Sequence, residues 1–429
     1  VSSIAILGIF LAVMMALALI RVPLAIGILG GAFAGFLASG RSLGIVAPSA
    51  FSAIDVFAFL AVPGFIYAGA LMLHGRIAES ILDLFQGLAN RLQGALGAIT
   101  VVVSMLFGTI SGSSVATVSM VGGMMIPEME KRGYRRERAA ALVAATGVLG
   151  VLIPPSIPGI MYAIAAGQSI AAVWLTTVMP AILLGGLWAV IAVVQGRGRH
   201  ALAASVEAAA TVPARGKLWR SIPALFAPVI IFGGIYGGVF TPTEGGAVVV
   251  VYCLIIGFLF YRGLRLGTIF GITAQAARMS AAILLLIAAA AVAGRLFTLT
   301  GLPRELTATI VGMNLDPLMF LLVLNLILIG IGMFMETNTA ILILTPILLP
   351  IAQGLGIDPL HFGAIVLLNL ELGMITPPMA GNLFVACKVA GVPFNAMLRP
   401  LLPYYLAAIP VLAITTYWPD FTLALSRLF

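Results

Sequence analysis

Charge is what this sequence has least of. Of its 429 residues only 8% are Asp, Glu, Lys or Arg, while 62% are hydrophobic. A soluble domain carries roughly 25% charged residues, so a water-facing globular surface is excluded. Acidic groups are scarcer than basic ones, 14 against 22, for a formal charge of +8. The basic residues sit in short loops between apolar runs, where they set membrane orientation; no nucleic-acid partner is expected from them. There are two cysteines, Cys253 and Cys387, both inside apolar runs. They read as small buried side chains, with neither a disulfide nor a metal site indicated. The histidines His74, His200 and His361 stand at loops or span ends, with no carboxylate or cysteine cluster beside them. A glycine-rich phosphate loop with lysine is missing, and Gly112-Ser113-Ser114 is not a nucleophile elbow. The chain is therefore not expected to be an enzyme, to hydrolyse ATP or to hold a cofactor. No cleavable signal peptide is expected, because the first apolar run leads straight into further spans.

What is present is a series of uncharged runs, many longer than the roughly 20 residues that cross a bilayer. The expected class is an all-α polytopic membrane protein. The first half should span at residues 3–20, 24–38 and 55–73. Next, Ile77, Ile81, Leu84, Phe85, Leu88 and Leu92 recur at helical spacing among Arg76, Glu79, Asp83 and Arg91. This pattern predicts an amphipathic helix whose apolar face lies in lipid or braces another membrane chain; an ordinary cytoplasmic loop helix is the alternative. Residues 92–127 contain no charge. As one helix they would be roughly 54 Å long, far more than a bilayer needs. A small and polar run, residues 108–114, sits at their middle. The reading is a re-entrant hairpin with its tip near mid-depth, where polar backbone is tolerated beside a cavity; two full spans are the alternative. Residues 139–166 form a helix broken at Gly150 and Pro154-Pro155, and 173–194 a clean span.

The second half repeats the plan, with spans at 222–240, 245–260 and 281–296 and a shorter amphipathic helix at 302–313. Residues 317–357 are uncharged except at Glu336, again in the middle of the run, and 362–389 are broken at Gly373 and Pro377-Pro378. A shift of 223 positions lays Pro127 on Pro350, Gly133 on Gly356, Gly150 on Gly373 and Pro154-Pro155 on Pro377-Pro378 without a gap. Matches at Gly and Pro carry weight because these residues set backbone geometry. Each half then makes five net crossings, so the second enters inverted. The basic residues agree: 18 of the 22 fall on one side, leaving Arg41, Arg295, Arg304 and Arg427 on the other. The expected organisation is a first repeat at 1–194 (hairpin 92–130, broken helix 139–166) and a cytoplasmic linker at 195–220. A second repeat follows at 221–417 (hairpin 317–353, broken helix 362–389), then a periplasmic tail at 418–429. Val1 and residues 355–361 would lie outside, Lys131 to Arg138 and the linker inside.

A helix interrupted at mid-depth leaves backbone groups that something must satisfy. A sodium ion can accept bare carbonyls together with Ser, Thr or Asn oxygens. One such site is expected from Ser111, Ser113, Ser114 and Thr117 with Gly150, Ile153 and Pro154. A second is expected from Glu336, Thr337, Asn338 and Thr339 with Gly373, Met374 and Thr376. The alternative for both is helix capping and small-residue packing. Arg295, Glu336 and Glu371 are the ionisable residues at membrane depth. Arg295 could clamp a carboxylate or snorkel to the interface; Glu371 reads as a structural partner.

Several segments carry a resemblance to a known family: residues 228–244, Gly112-Ser113-Ser114-Val115-Ala116, 127–133, Ile153-Pro154-Pro155-Ser156, 332–339 and 373–378. Together they resemble the large membrane subunit, the DctM-like family, of tripartite ATP-independent periplasmic (TRAP) transporters, over nearly the whole chain. The family most often has Asp at the second tip, where this chain has Glu336. The resemblance implies a sodium-driven inner-membrane importer of a small organic anion, a carboxylate or sialic acid, working as an elevator. It implies two partners, a small four-helix membrane subunit (DctQ-like) on a separate chain and a periplasmic binding protein (DctP-like), besides membrane lipid. Ser114, Ser156, Arg295, Asn338 and Asn382 are the residues expected at the substrate. A stand-alone cation-coupled anion symporter or antiporter of the same plan is the alternative, and residues 228–244 argue against it.

Overall fold

The computed structural model describes residues 2–89, 96–196, 218–312 and 316–428. Most of the expected linker lies outside these residues. The described residues form helices joined by short turns, with no strand among them. Seven helices are long and apolar enough to cross a membrane, or up to eight if the bent pair Arg136–Leu152 and Ile157–Ala165 counts as one span. The protein is a multi-pass membrane protein.

Its helices form two groups that pack on each other. The outer framework comprises α1 (Ser3–Leu19), α2 (Leu24–Ala38), α3 (Val46–Ile54), α4 (Ala61–His74) and α5 (Ile77–Ala89) from the first half. From the second half come α12 (Leu218–Tyr236), α13 (Pro242–Ile255), α14 (Leu266–Thr300) and α15 (Leu302–Gly312). The inner group comprises α6 (Leu96–Ser111), α7 (Ser114–Lys131), α8 (Arg136–Gly147), α9 (Leu149–Leu152), α10 (Ile157–Ala165) and α11 (Ile170–Gly196). Its second-half members are α16 (Pro317–Phe334), α17 (Thr337–Gly354), α18 (Pro359–Gly373), α19 (Gly381–Ala390), α20 (Phe394–Tyr417) and α21 (Pro419–Leu423). The two groups meet chiefly through α14 and α15 against α17 and through α4 against α6.

Close helix approach holds the framework together. α4 and α13 meet where Gly64 and Gly246 face each other, and α14 lies against α2, α3 and α4. Phe10 of α1 packs edge-on against Phe297 of α14, ring centroids 5.1 Å apart. α14 runs on for 35 residues, about 52 Å at 1.5 Å per residue, much longer than the span expected at 281–296. Exposed Arg278 does not interrupt it, because a long side chain on one face leaves the backbone ladder intact. α5 corrects a second expectation. Ile77 and Ile81 are fully buried inside this chain, against α4, α6 and α12, so this part of the apolar face meets neither lipid nor a partner. At the start of α13, Thr241 and Glu244 form a reciprocal capping box, which gives the 241–244 part of the family-like segment a structural job.

The inner group contains two helical pairs and two broken helices. In the first pair, α6 and α7 pack along each other across a tight turn. There Gly112 adopts φ +57°, a left-handed conformation that glycine reaches without strain, and the Ser113 side chain caps α7. In the second pair, Met335 and Glu336 are both extended. Without a left-handed turn the arms splay and barely touch. α16 instead lies on α18, and α17 on α10, α14, α15 and α18. Each pair crosses its broken helix through glycines. A Cβ on Gly108 would run into Gly150, and a Cβ on Gly373 would lie 2.5 Å from Gly332 Cα. Both breaks contain a cis Pro-Pro bond, Pro154-Pro155 and Pro377-Pro378.

A buried polar chain ties the second broken helix to the end of the protein. Asn369 Nδ2 donates to Asn325 Oδ1 at 2.8 Å, and Asn325 Nδ2 donates to Thr416 Oγ1 at 3.0 Å. His361 sits 3.1 Å from the Thr416 carbonyl through Nε2 and 2.8 Å from Thr422 Oγ1 through Nδ1. The expected tail at 418–429 is thus docked at its start, through α21.

Candidate functional site

A cavity of about 330 Å³ opens where the two tips meet. Gly112, Ser113, Ser114 and Val115 line it from the first tip, Glu336 and Asn338 from the second. Val151, Ile157 and Pro158 come from the first broken helix, Glu371 and Met374 from the second. The remaining wall is framework: Met279, Ala282, Ile283 and Leu286 of α14. The cavity therefore lies on the seam between the two helix groups.

Three helices begin at this cavity: α7, α10 and α17. A helix N-terminus carries about half a positive charge. At α10 it acts through this dipole alone, since Ile157 N is bonded to the Gly112 carbonyl, Gly159 N to Ser156 Oγ, and Pro158 has no N–H. The three together make a positive field with no basic side chain among the lining residues. Against it stand two carboxylates, Glu336 and Glu371. Glu336 caps α17: its carboxylate accepts from Thr339 N at 3.3 Å and from Asn338 Nδ2 at 2.5 Å. Glu371 is 1% exposed. Its Oε1 accepts from Thr337 Oγ1 at 2.8 Å, and its Oε2 has no partner among the described residues. Glu371 is thus both the structural partner that its position predicts and a wall of the cavity, a role its sequence context did not reveal. The only signal was a lone acid two residues before Gly373 in an uncharged helix.

The first oxygen group converges as a knot. Ser111 Oγ and Thr117 Oγ1 lie 2.9 Å apart. Both reach the Ser113 carbonyl, at 3.2 and 2.9 Å, and Thr117 packs on the Gly150 backbone. Ser114 faces the cavity beside Glu371. No hydrogen bond joins Ile153 or Pro154 to this knot among the described residues. The first break is closed by other groups. Thr177 Oγ1 donates to the Leu152 carbonyl at 2.7 Å, Trp174 Nε1 to the Ser156 carbonyl at 3.0 Å, and Ile157 N to the Gly112 carbonyl at 3.4 Å.

In the second group Glu336, Asn338 and Met374 reach the cavity, and Thr337 reaches Glu371. Thr339 is buried, and Gly373 lies under Gly332. Thr376 turns away, donating to the Leu372 carbonyl at 2.7 Å and meeting the Tyr405 hydroxyl at 2.5 Å. Of the residues expected at a substrate, only Ser114 and Asn338 line the cavity. Ser156 caps α10, accepting from Gly159 N at 3.1 Å. Asn382 is fully buried beside Gly147, both side-chain polar atoms unpartnered among the described residues. Arg295 is exposed, nine residues beyond Leu286 on α14, or about 13 Å along the axis.

The family model of the tripartite ATP-independent periplasmic transporter DctM component matches residues 8–421. The chain belongs to the DctM family of TRAP transporters. This DctM component is 37% identical to the C4-dicarboxylate TRAP transporter large permease protein of Pseudomonas aeruginosa, covering 92% of each chain. It is 33% identical to the sialic acid TRAP transporter large permease protein of Vibrio cholerae, over 92% of each. It is 38% identical to the isethionate TRAP transporter permease protein DctMQ of Oleidesulfovibrio alaskensis, over 93% of this chain but 63% of that longer protein. Among solved structures, the Alcanivorax borkumensis YdaH transporter superposes with a TM-score of 0.65 at 16% identity, over 88% of each chain. That likeness shows a shared fold; the family match and the candidate spans make this chain a multi-pass protein of the inner membrane.

Proposed function

We propose that this chain is the translocating subunit for a small organic anion, coupled to sodium, and that it works with a small membrane subunit and a periplasmic binding protein. The observation that carries the reading is the seam cavity with three helix N-termini and two carboxylates. An anion entering it gains from the N-termini and is repelled by Glu336 and Glu371 when these are ionised. Sodium ions held by the tip oxygens would offset that repulsion, so anion and cation would enter together. The Ser111–Ser113–Thr117 knot and the Glu336–Asn338–Thr339 cap are the oxygen groups proposed for sodium. The relatives' substrates, a C4-dicarboxylate and a sialic acid, motivate the anion class.

The two glycine crossings and the 223-residue shift support an inverted repeat, with the inner group sliding past the framework as an elevator. The test is uptake into liposomes under a sodium gradient, with and without a small membrane subunit and candidate binding proteins. Uptake needing all three components and sodium is expected. Robust uptake by the isolated chain would favour a stand-alone symporter, and uptake indifferent to sodium would sink the coupling.

A further inference from the structure

A second cavity, of about 470 Å³, lies far from the seam. It is lined by Arg135, Glu137 and Arg138 at the start of α8, by Gln195 near the end of α11, and by Ala396, Arg399, Pro400 and Pro403 near the start of α20. From Arg136 to Gly150 is 14 residues, about 20 Å of helix. Three arginines from two separate elements share this cavity with one carboxylate. That carboxylate is already engaged, since Glu137 Oε2 lies 3.5 Å from Arg135 Nε. Arg138 and Arg399 have no acidic partner among the described residues. Elsewhere in this basic region the arginines are paired: Arg132 with Glu128 at 3.2 Å and Arg136 with Glu130 at 3.4 Å.

The other lining groups are also suited to an anion bearing hydroxyls. No side chain caps α8; Arg138 N is bonded to the Arg135 carbonyl at 2.9 Å, which leaves the Arg136 and Glu137 N–H groups to face an anion. Gln195 accepts from the Tyr404 hydroxyl at 3.2 Å through Oε1, which leaves its amide N–H groups as donors. Pro400 and Pro403 lack the N–H that would bond the carbonyls of Ala396 and Arg399, which leaves acceptors for hydroxyl groups.

We infer that this cavity binds a phosphate-bearing anion between Arg138 and Arg399. Guanidinium groups match phosphate oxygens in geometry and charge. Two sources supply that chemistry: the headgroup of an anionic phospholipid in the leaflet next to this basic end, or free phosphate. A ligand here would staple α8, which leads into the first break, to α20, which carries the docked C-terminal end.

The experiment measures thermal unfolding of the purified full chain in mixed micelles against added phosphatidylglycerol, phosphatidylcholine or inorganic phosphate, at constant ionic strength. The variants are Arg399→Gln alone, Arg138→Gln with Arg399→Gln, and the control Arg136→Gln. All three arginines are exposed, so the variants are expected to fold. A saturable rise in the midpoint is expected, with its half-saturating concentration raised about tenfold or more in the double variant and unchanged in the control. A response to phosphatidylglycerol alone assigns the site to lipid; a response to inorganic phosphate assigns it to the free anion. An equal response to phosphatidylcholine, or no difference between parent and double variant, overturns the proposal.

Discussion

Replacing Gly332 by Ala adds one methyl group at the tightest point of the second crossing. A Cβ there would lie 2.7 Å from the Leu370 carbonyl oxygen, 3.0 Å from Gly373 Cα and 3.1 Å from Leu370 Cα. These are backbone atoms, so no rotamer change relieves the contact. Ordinary carbon contacts begin near 3.5 Å, so α16 and α18 must part by about 0.5–1 Å. Overpacking of this kind costs about 1–3 kcal/mol. The displaced helix is the one that carries Glu371, whose bond to Thr337 is 2.8 Å long. A shift of that size stretches it to the limit of hydrogen-bond range or past it, and losing it costs about 1 kcal/mol or more. The control is two residues away: a Cβ on Gly330 meets nothing within 4 Å, and Ala there should stabilise the helix by about 0.5–1 kcal/mol. The assays are thermal unfolding in detergent and sodium-dependent uptake by the reconstituted system. Gly332→Ala should unfold earlier and need more sodium for half-maximal uptake, while Gly330→Ala should match or exceed the parent. Equal behaviour of the two variants would refute the crossing as a constraint on the site.

Thr337→Val removes the 2.8 Å donor to Oε1 of the buried Glu371; a loss of about 1–3 kcal/mol in unfolding free energy is expected. Thr117→Val unties the Ser111–Ser113–Thr117 knot; if those oxygens bind sodium, half-saturation should rise about ten- to a hundredfold, and an unchanged sodium titration returns the knot to a helix-cap role. For topology, exposed positions Gln353 and Lys131 should label from opposite sides as Gln353→Cys and Lys131→Cys in a background lacking Cys253 and Cys387. Labelling from the same side would end the inverted-repeat reading.

The helices and their breaks were legible because long uncharged runs and Gly/Pro interruptions are local signals. Gly112, Ser113 and Glu336 announce the tips through turn and cap chemistry. Contacts between distant glycines are not local: Gly108 meets Gly150, and Gly332 meets Gly373, with nothing in either segment naming its partner. The framework wall of the cavity was illegible for a related reason, since Met279 and Leu286 look like any lipid-facing residues. Arg295 drew attention as the cation on a spanning helix, yet the lining residues put helix N-termini, a property of backbone, where a positive side chain was sought. The splay of the second pair follows from Met335 and Glu336, which are no less hairpin-like in composition than the first tip.

The buried chain from Asn325 through Asn369, Thr416 and His361 to Thr422 has a mechanical consequence. In hydrocarbon, amides and hydroxyls that part company find no water to bond instead. The links therefore act as rivets, and α16, α18, α20 and α21 form one block. Whatever displaces Glu371 relative to α14 must drag the carboxyl-terminal helices along. A fluorescent probe near Asp420, where the chain is exposed, would then travel with the cavity floor and report its position without touching the site.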